Sequence, residues 1–180
     1  MRKLVSLILL FTAAIFFNGC QTGPGGRGGD FEPLYAKFYL EAPSDQRMRG
    51  RTETVRLPIS EVEIDVDVRA VFVEWDIVEV DVVETNDGPI FAFRLTRDAA
   101  RDFMRNIRER DRDRRLVAVI TADNPAMRPL VGAAPVERSF SGGIVYMSLE
   151  IPDAMVPETA INLDRTSEHI QDEISGQRRR

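Results

Sequence analysis

Two kinds of hydrophobic periodicity alternate along the chain and predict its secondary structure. An apolar run ends at Thr96, helical spacing follows it, and a second apolar run covers residues 115–121. Thr96 is suited to begin a helix because its hydroxyl can accept a hydrogen bond from a free backbone N–H. The buried stripe of this helix is predicted to consist of Ala100, Phe103, Met104 and Ile107. Residues 88–121 are therefore predicted to form a strand, a helix and a strand on which the rest of the domain packs.

Alternating apolar and polar residues predict further strands on both sides of this unit. The sequence Asn86-Asp87-Gly88 is typical of a tight turn and predicts a hairpin between strands 77–84 and 89–95. Other strands are predicted at 34–42, 52–57 and 144–151. A second helix is predicted after Pro152, with Pro157 in its first turn and an inner face formed by Val156, Ala160, Leu163, Ser167 and Ile170.

These elements predict an α+β fold: one mainly antiparallel sheet with two helices packed on one face, preceded by a signal helix. A length of 180 residues suits one domain with a hydrophobic core, which we place at residues 31–175. With 43% hydrophobic and 29% charged residues, the composition is that of a globular protein rather than a disordered one.

The N-terminus has the pattern of a secretory signal. Arg2 and Lys3 precede an apolar stretch at residues 4–17, which is too short for a membrane span of about 20 residues. Gly19 and Cys20 follow it and resemble the lipobox of bacterial lipoproteins, in which the cysteine is diacylated and becomes the mature N-terminus. The resemblance implies a signal peptide at 1–19 and lipidation of Cys20. The alternative is a plain signal peptide with a chance cysteine.

A lipidated cysteine would anchor the protein to a membrane, because two or three acyl chains give stable attachment. Residues 20–30 comprise this cysteine and a flexible linker with five glycines between Gly23 and Gly29. Gln21 replaces the Asp that retains some lipoproteins at the inner membrane, so we expect an envelope protein that faces the periplasm, with the outer membrane favoured. The basic tail at 176–180 is expected to lie outside the domain.

Charge and residue usage limit the chemistry that we expect. Loss of Arg2 and Lys3 with the signal would leave 22 basic against 29 acidic residues, a net charge of −7. This charge disfavours nucleic acid as a partner. The chain contains a single histidine, His169, so it has little capacity for acid–base or metal chemistry that depends on imidazole. We place His169 on the surface near a helix end. We therefore predict no catalytic, metal or cofactor site and no enzyme, although an Asp/Glu mechanism stays open.

Three other features have a functional and a purely structural interpretation. Ten acidic residues between Glu61 and Asp87 suit either a hard-cation site or, as we favour, a solvated sheet face. Trp75 is expected to be buried, whereas an exposed Trp would indicate a binding hot spot. Residues 123–134 are predicted to form a surface loop, the segment best placed for partner contact.

The order of these elements is similar to that of a known protein family. The residues that carry the similarity are 75–80, 88–96, 99–103, 115–120, 134–136 and 141–143. They resemble the head subdomain of the first periplasmic domain of SecD, a subunit of the bacterial protein-export machinery, over about residues 70–165. The resemblance implies contact with polypeptide emerging across the membrane. It implies no functional residue at any position of this sequence, and we expect none of the membrane helices of SecD here.

Together these observations predict a non-enzymatic lipoprotein that binds extended polypeptide or an envelope protein assembly, with a possible place in protein export. The alternative is a structural or scaffolding envelope lipoprotein with one fixed partner. A polypeptide binder should expose an apolar groove or an open sheet edge for strand addition. A scaffold should present one apolar patch of fixed shape.

Overall fold

The computed structural model describes residues 31–43, 51–107, 111 and 113–177. The predicted signal peptide, the linker with Cys20 and residues 178–180 of the tail lie outside these ranges. Contacts divide the chain into residues 1–31 and 32–180, and all elements below belong to the second unit.

The described part of the chain is an α+β domain with antiparallel sheets and a long C-terminal helix, as the sequence predicts. The strands are β1 (Leu34–Glu41), β2 (Thr52–Arg56), β3 (Glu63–Phe72), β4 (Ile77–Thr85), β5 (Gly88–Leu95), β6 (Arg115–Ala122), β7 (Leu130–Pro135), β8 (Phe140–Ser141) and β9 (Ile144–Met147). The α-helices are α1 (Arg97–Asn106), α2 (Val136–Ser139) and α3 (Val156–Gln177). Short 3₁₀ turns cover Glu74–Asp76 and Asp153–Met155.

The expectation of one sheet is wrong, because the strands form two. One sheet has the order β2-β3-β1-β6-β7 and the other has the order β4-β5-β9-β8. The predicted β4–β5 hairpin is confirmed, with Thr85 opposite Gly88 at the turn. However, the strands on either side of α1 belong to different sheets. Periodicity predicts which side chains are buried but not which strands pair, and the full-length pairing of β1 with β6 assigns β6 to the first sheet.

The main core lies between the two sheets and is rich in phenylalanine. The ring of Phe38 in β1 contacts that of Phe93 in β5 edge to face, with centroids 5.0 Å apart. The ring centroids of Phe72 in β3 and Phe103 in α1 are 4.7 Å apart. Such aromatic pairs add about 0.5–1.5 kcal/mol each beyond the area that they bury. Helix α1 thus joins the core through Phe103.

Helix α1 begins after Thr96 as predicted and ends at Asn106, but it buries less of its surface than expected. The Thr96 hydroxyl accepts a hydrogen bond from the N–H of Ala99 at 3.3 Å, which confirms the predicted cap. Phe103 is buried and Ala100 is half-buried. Met104 is 64% exposed, so its place in the predicted buried stripe is wrong. The helix has ten residues, and besides Phe103 only Ala99, Ala100 and Ile107 of this segment pack against the main core, each partly buried.

Helix α3 matches its predicted inner face and also covers one edge of the second sheet. Val156, Leu163 and Ser167 are buried, and Pro157 lies in the first turn. The Asp164 carboxylate accepts a hydrogen bond from the N–H of Val80 in β4 at 3.0 Å. The side-chain amide of Gln171 donates to the carbonyl of Ile77 at 2.9 Å. Side chains of α3 therefore occupy backbone groups that β4 would otherwise offer to another strand.

The predicted loop at 123–134 is wrong over its second half, which forms β7. Leu130 and Val131 are buried there, and Val131 pairs with Val119 of β6. Gly132 permits this strand to approach the next segment closely, because a Cβ at this position would overlap the carbonyl oxygen of Ser148. Gly132 thus permits close packing between two segments and does not form a turn.

Candidate functional site

Strand β2 forms an outer edge of the five-stranded sheet, and its backbone presents free hydrogen-bonding groups there. The N–H of Leu57 donates to Val62 at 2.9 Å, and the carbonyl of Arg51 accepts from Val68 at 3.3 Å. Since antiparallel ladders alternate, residues 51, 53, 55 and 57 face β3. The N–H and C=O groups of Thr52, Thr54 and Arg56 therefore point away from the sheet. No strand of the described residues pairs with this edge.

The other sheet edges within the described residues are occupied or very short. Helix α3 covers β4, as described above. The outer side of β7 is bridged to the segment after β9: Gly132 pairs with Leu149, and the N–H of Glu150 donates to Val131 at 2.8 Å. Strand β8 has two residues. Strand β2 thus offers an accessible row of backbone donors and acceptors at Thr52, Thr54 and Arg56.

A groove of about 590 Å³ borders the open edge of β2. Its size falls within the range of about 300–1,000 Å³ that is usual for binding clefts. One wall is β2 with the turn after it, and the other is formed by the start of β7 and the residues before it. The lining residues are Thr54, Val55, Arg56, Pro58, Glu61, Val119, Arg128, Pro129 and Val131.

A second, smaller core supports the groove on the outer face of the five-stranded sheet. It consists of buried Leu57, Ile64, Val66, Val117 and Val131, with Val55 and Val119 partly buried against them. Val55 is paired with Ile64, and Val119 is paired with Val131, so both walls of the groove belong to regular ladders. The apolar surface of the groove is therefore held by packed strands.

The turn between β2 and β3 is fixed to the far wall of the groove by Glu150. The Glu150 carboxylate accepts hydrogen bonds from the N–H groups of Ile59 at 2.7 Å and Ser60 at 3.0 Å. Partial burial acts to raise the pKa of Glu150, but the hydrogen bonds from Ser60 and Ile59 outweigh it and lower that pKa below its usual value. As a carboxylate, Glu150 thus fixes the position of the β2–β3 turn.

Replacing Glu150 with glutamine should weaken the fold in a pH-dependent way. A carboxyl with a lowered pKa stabilises the folded state above its unfolded pKa and loses that effect as the pH falls through its folded pKa. We expect Glu150→Gln to lower the free energy of unfolding by about 1 kcal/mol at pH 7. The difference from the unsubstituted protein should shrink as the pH falls below the unfolded pKa of about 4.3 and then through the lower pKa of the folded state.

Denaturant unfolding between pH 3 and pH 8 measures this difference. Glu168→Gln on the exposed surface of α3 is the matched control and should leave stability within about 0.5 kcal/mol at every pH. A Glu150→Gln deficit that stayed constant down to pH 3 would mean that the charge of Glu150 does not hold the turn.

The residues that the sequence singled out lie apart from this groove. Cys20 lies outside the described residues. Trp75 is 54% exposed, so the expectation of burial is wrong: it lies on the 3₁₀ turn between β3 and β4, whose geometry directs it outward. His169 is exposed on α3, and its Nε2 lies 3.4 Å from Oε1 of Glu173.

The acidic strands do not converge on one point. On β3, Glu63, Asp65 and Asp67 face Arg56, Thr54 and Thr52 of β2, and the Thr54 hydroxyl donates to Asp65 at 2.7 Å. Within the described residues, no group of three or more His, Cys, Asp or Glu side chains is arranged to hold a metal ion. The acids therefore spread along the sheet rather than around a cavity.

The carboxyl of Asp76 has a raised pKa, and the hydrogen bonds of this residue connect two parts of the fold. Burial raises the pKa of Asp76, the hydrogen bond from Val73 opposes this rise, and the charge of Glu74 adds to it. Its carboxylate accepts from the N–H of Val73 at 3.1 Å, and its carbonyl accepts from Thr96 at 2.7 Å. Asp76 thus links the turn before β4 to the start of α1.

Sequence reasoning missed the groove, because it predicts the β2 wall as a strand but the β7 wall as a loop. The pattern predicts a strand at 52–57 that ends before Pro58, but nothing in it indicates that this strand lies at an edge beside β7. The signal that comes closest is the row of Thr and charged residues in β2, which is typical of an edge strand.

Comparison of the chain with protein families, curated proteins and solved structures finds no match. Among the described residues, no helix has the length and apolar character needed to cross a membrane.

Proposed function

We propose that this chain is a non-enzymatic lipoprotein of the bacterial envelope, anchored by Cys20 and facing the periplasm, whose domain binds extended polypeptide. The binding site is the groove beside β2, and the bound segment adds to the sheet as a further strand. The SecD head-like character of residues 70–165 favours protein export as the setting of this activity. The observation that carries the proposal is the open edge of β2 beside an apolar groove.

Strand addition suits this site for a physical reason. An extended peptide can form main-chain hydrogen bonds with Thr52, Thr54 and Arg56 whatever its sequence, because backbone groups are common to all polypeptides. Alternate side chains of the peptide would then enter the groove, where Val119 and Val131 form an apolar surface. Backbone bonds supply affinity for many clients, and the valine surface favours apolar segments.

The groove joins two parts of the chain that differ in their resemblance to SecD. Val119, Arg128 and Val131 lie within the SecD-like stretch of 70–165. Thr54 and Val55 belong to the hairpin that precedes it. The open edge therefore lies in the hairpin that precedes the stretch resembling SecD.

Replacing Thr54 with proline should block strand addition while leaving the β2–β3 ladder intact. The N–H of Thr54 points away from β3, so its loss removes no bond of the folded domain, and proline is tolerated at such edge positions. We expect Thr54→Pro to weaken binding of an unfolded polypeptide about tenfold, since one donor is lost and the ring obstructs the edge. The probe is a fluorescent, reduced and carboxymethylated protein, titrated against the full-length chain in detergent.

Thr54→Val is the matched control, because it also loses the hydroxyl bond to Asp65 but keeps the N–H. It should bind the probe as the unsubstituted protein does. Equal binding by Thr54→Pro and Thr54→Val would place polypeptide recognition elsewhere and contradict the proposal.

A further inference from the structure

The two sides of β2 give a bound strand two different environments. Val55 lies on the side of the groove, next to Val119 and Val131. Thr54 lies on the opposite side, where its hydroxyl bonds to Asp65. Residues directly opposite each other in an antiparallel pair share a side of the sheet. A strand added to β2 would therefore turn every second side chain toward the valines and the others toward polar groups.

The charged residues of the groove leave one cation available to a ligand. Arg56 and Glu61 lie 3.4 Å apart and form an exposed ion pair with each other. Arg128, on the facing wall, is exposed and has no ion-pair partner among the described residues. This arginine stands out in a chain whose net charge is −5. The groove is thus apolar at its base and positive at one wall.

We propose that the groove prefers an extended segment in which apolar residues alternate with polar ones and a carboxylate lies within reach of Arg128. This inference rests on the proposed function and specifies its client class. The valines select the apolar residues of the repeat by burial, and Arg128 selects an acidic side chain by charge. The preferred segment is amphipathic and anionic, the composition of a β-strand not yet incorporated into its own sheet.

Three synthetic peptides of seven residues test the charge preference. Each alternates valine and threonine, and they differ at one valine position, on the side that faces the groove and Arg128, which carries glutamate, glutamine or lysine. The full-length chain in detergent should bind the glutamate peptide about two- to fivefold more tightly than the glutamine peptide, the range expected for one exposed ion pair. It should bind the lysine peptide more weakly than both.

Charge reversal at the groove separates this preference from a general effect of net charge. Arg128→Glu should invert the order, so that the lysine peptide binds more tightly than the glutamate peptide by about two- to fivefold. Arg165→Glu, on the exposed surface of α3, makes the same change in net charge and should keep the original order. Thr54→Pro should weaken all three peptides, which confirms that they occupy the β2 edge.

The outcomes distinguish the inference from the proposed function. If the three peptides bind equally and Thr54→Pro weakens them all, strand addition stands and the acidic preference is wrong. If Arg128→Glu and Arg165→Glu shift the order alike, the preference reflects net charge and the role of Arg128 is wrong. If no peptide binds, or Thr54→Pro has no effect, both the inference and the proposed function fail.

Discussion

Replacing Cys20 with serine is expected to move the protein from the membrane fraction to the soluble fraction. The thiol is the group that receives the diacylglyceryl chain in the lipoproteins that residues 17–20 resemble, and serine cannot form that thioether. Two or three acyl chains give stable anchoring, with each buried CH₂ contributing about 0.8 kcal/mol. Their loss should therefore release almost all of the protein. Fractionation after cell lysis, with a carbonate wash, measures the distribution.

The chemistry at Cys20 is checked by mass spectrometry of the N-terminal peptide. The unsubstituted protein should begin at Cys20 and carry the mass of its acyl chains. Gln21→Ala is the matched control in the adjacent linker position and should remain in the membrane fraction. Retention of Cys20→Ser in the washed membranes, together with an unmodified cysteine in the parent protein, would contradict anchoring through this residue.

Replacing Gly132 with alanine should destabilise the domain by about 2–3 kcal/mol, the upper part of the range for overpacking a closely packed site. The added methyl group would overlap the carbonyl oxygen of Ser148 and lie 3.0 Å from side-chain atoms of Met147 and Leu149. Strand β7 or the segment after β9 must move to admit it, which disrupts the bridge between Gly132 and Leu149. Thermal unfolding should show a midpoint lower by about 5–10 °C.

Gly176→Ala provides the control for this change. A Cβ at Gly176 meets no atom within 4 Å, and the residue lies near the end of α3. Alanine there should leave the unfolding midpoint unchanged or raise it slightly, because it reduces the freedom of the unfolded chain. Equal stability of Gly132→Ala and Gly176→Ala would mean that β7 is not fixed against the segment at 148–149.

The sequence predicts the elements of this fold better than their arrangement. Thr96 marks the start of α1, and Asn86-Asp87-Gly88 marks the β4–β5 turn, because capping and turn formation depend on neighbouring residues. The division into two sheets depends on pairing between distant strands such as β1 and β6. Period-two patterns are compatible with many such pairings, so one sheet and two sheets fit the same alternation.

Single residues in and near the groove also have positions that the sequence does not predict. Gly132 and the prolines near it predict a loop, but the glycine instead permits close contact between strands. Trp75 has the hydrophobicity of a core residue and lies on an outward turn. The groove itself combines Val55 with Val119 and Val131, which are more than sixty positions away in the sequence. Only the folded sheet brings these valines together beside an open edge.

The central claim, that β2 receives polypeptide in the cell, is tested most directly by cross-linking from that strand. A photo-reactive amino acid at position 52 of the full lipoprotein, irradiated in growing cells, would report what contacts the open edge. We expect many unrelated exported chains to be captured, as identified by mass spectrometry, and Thr54→Pro to reduce their capture strongly. One stoichiometric partner, or capture that Thr54→Pro leaves unchanged, would contradict polypeptide handling at β2, and the first of these results would favour a scaffold.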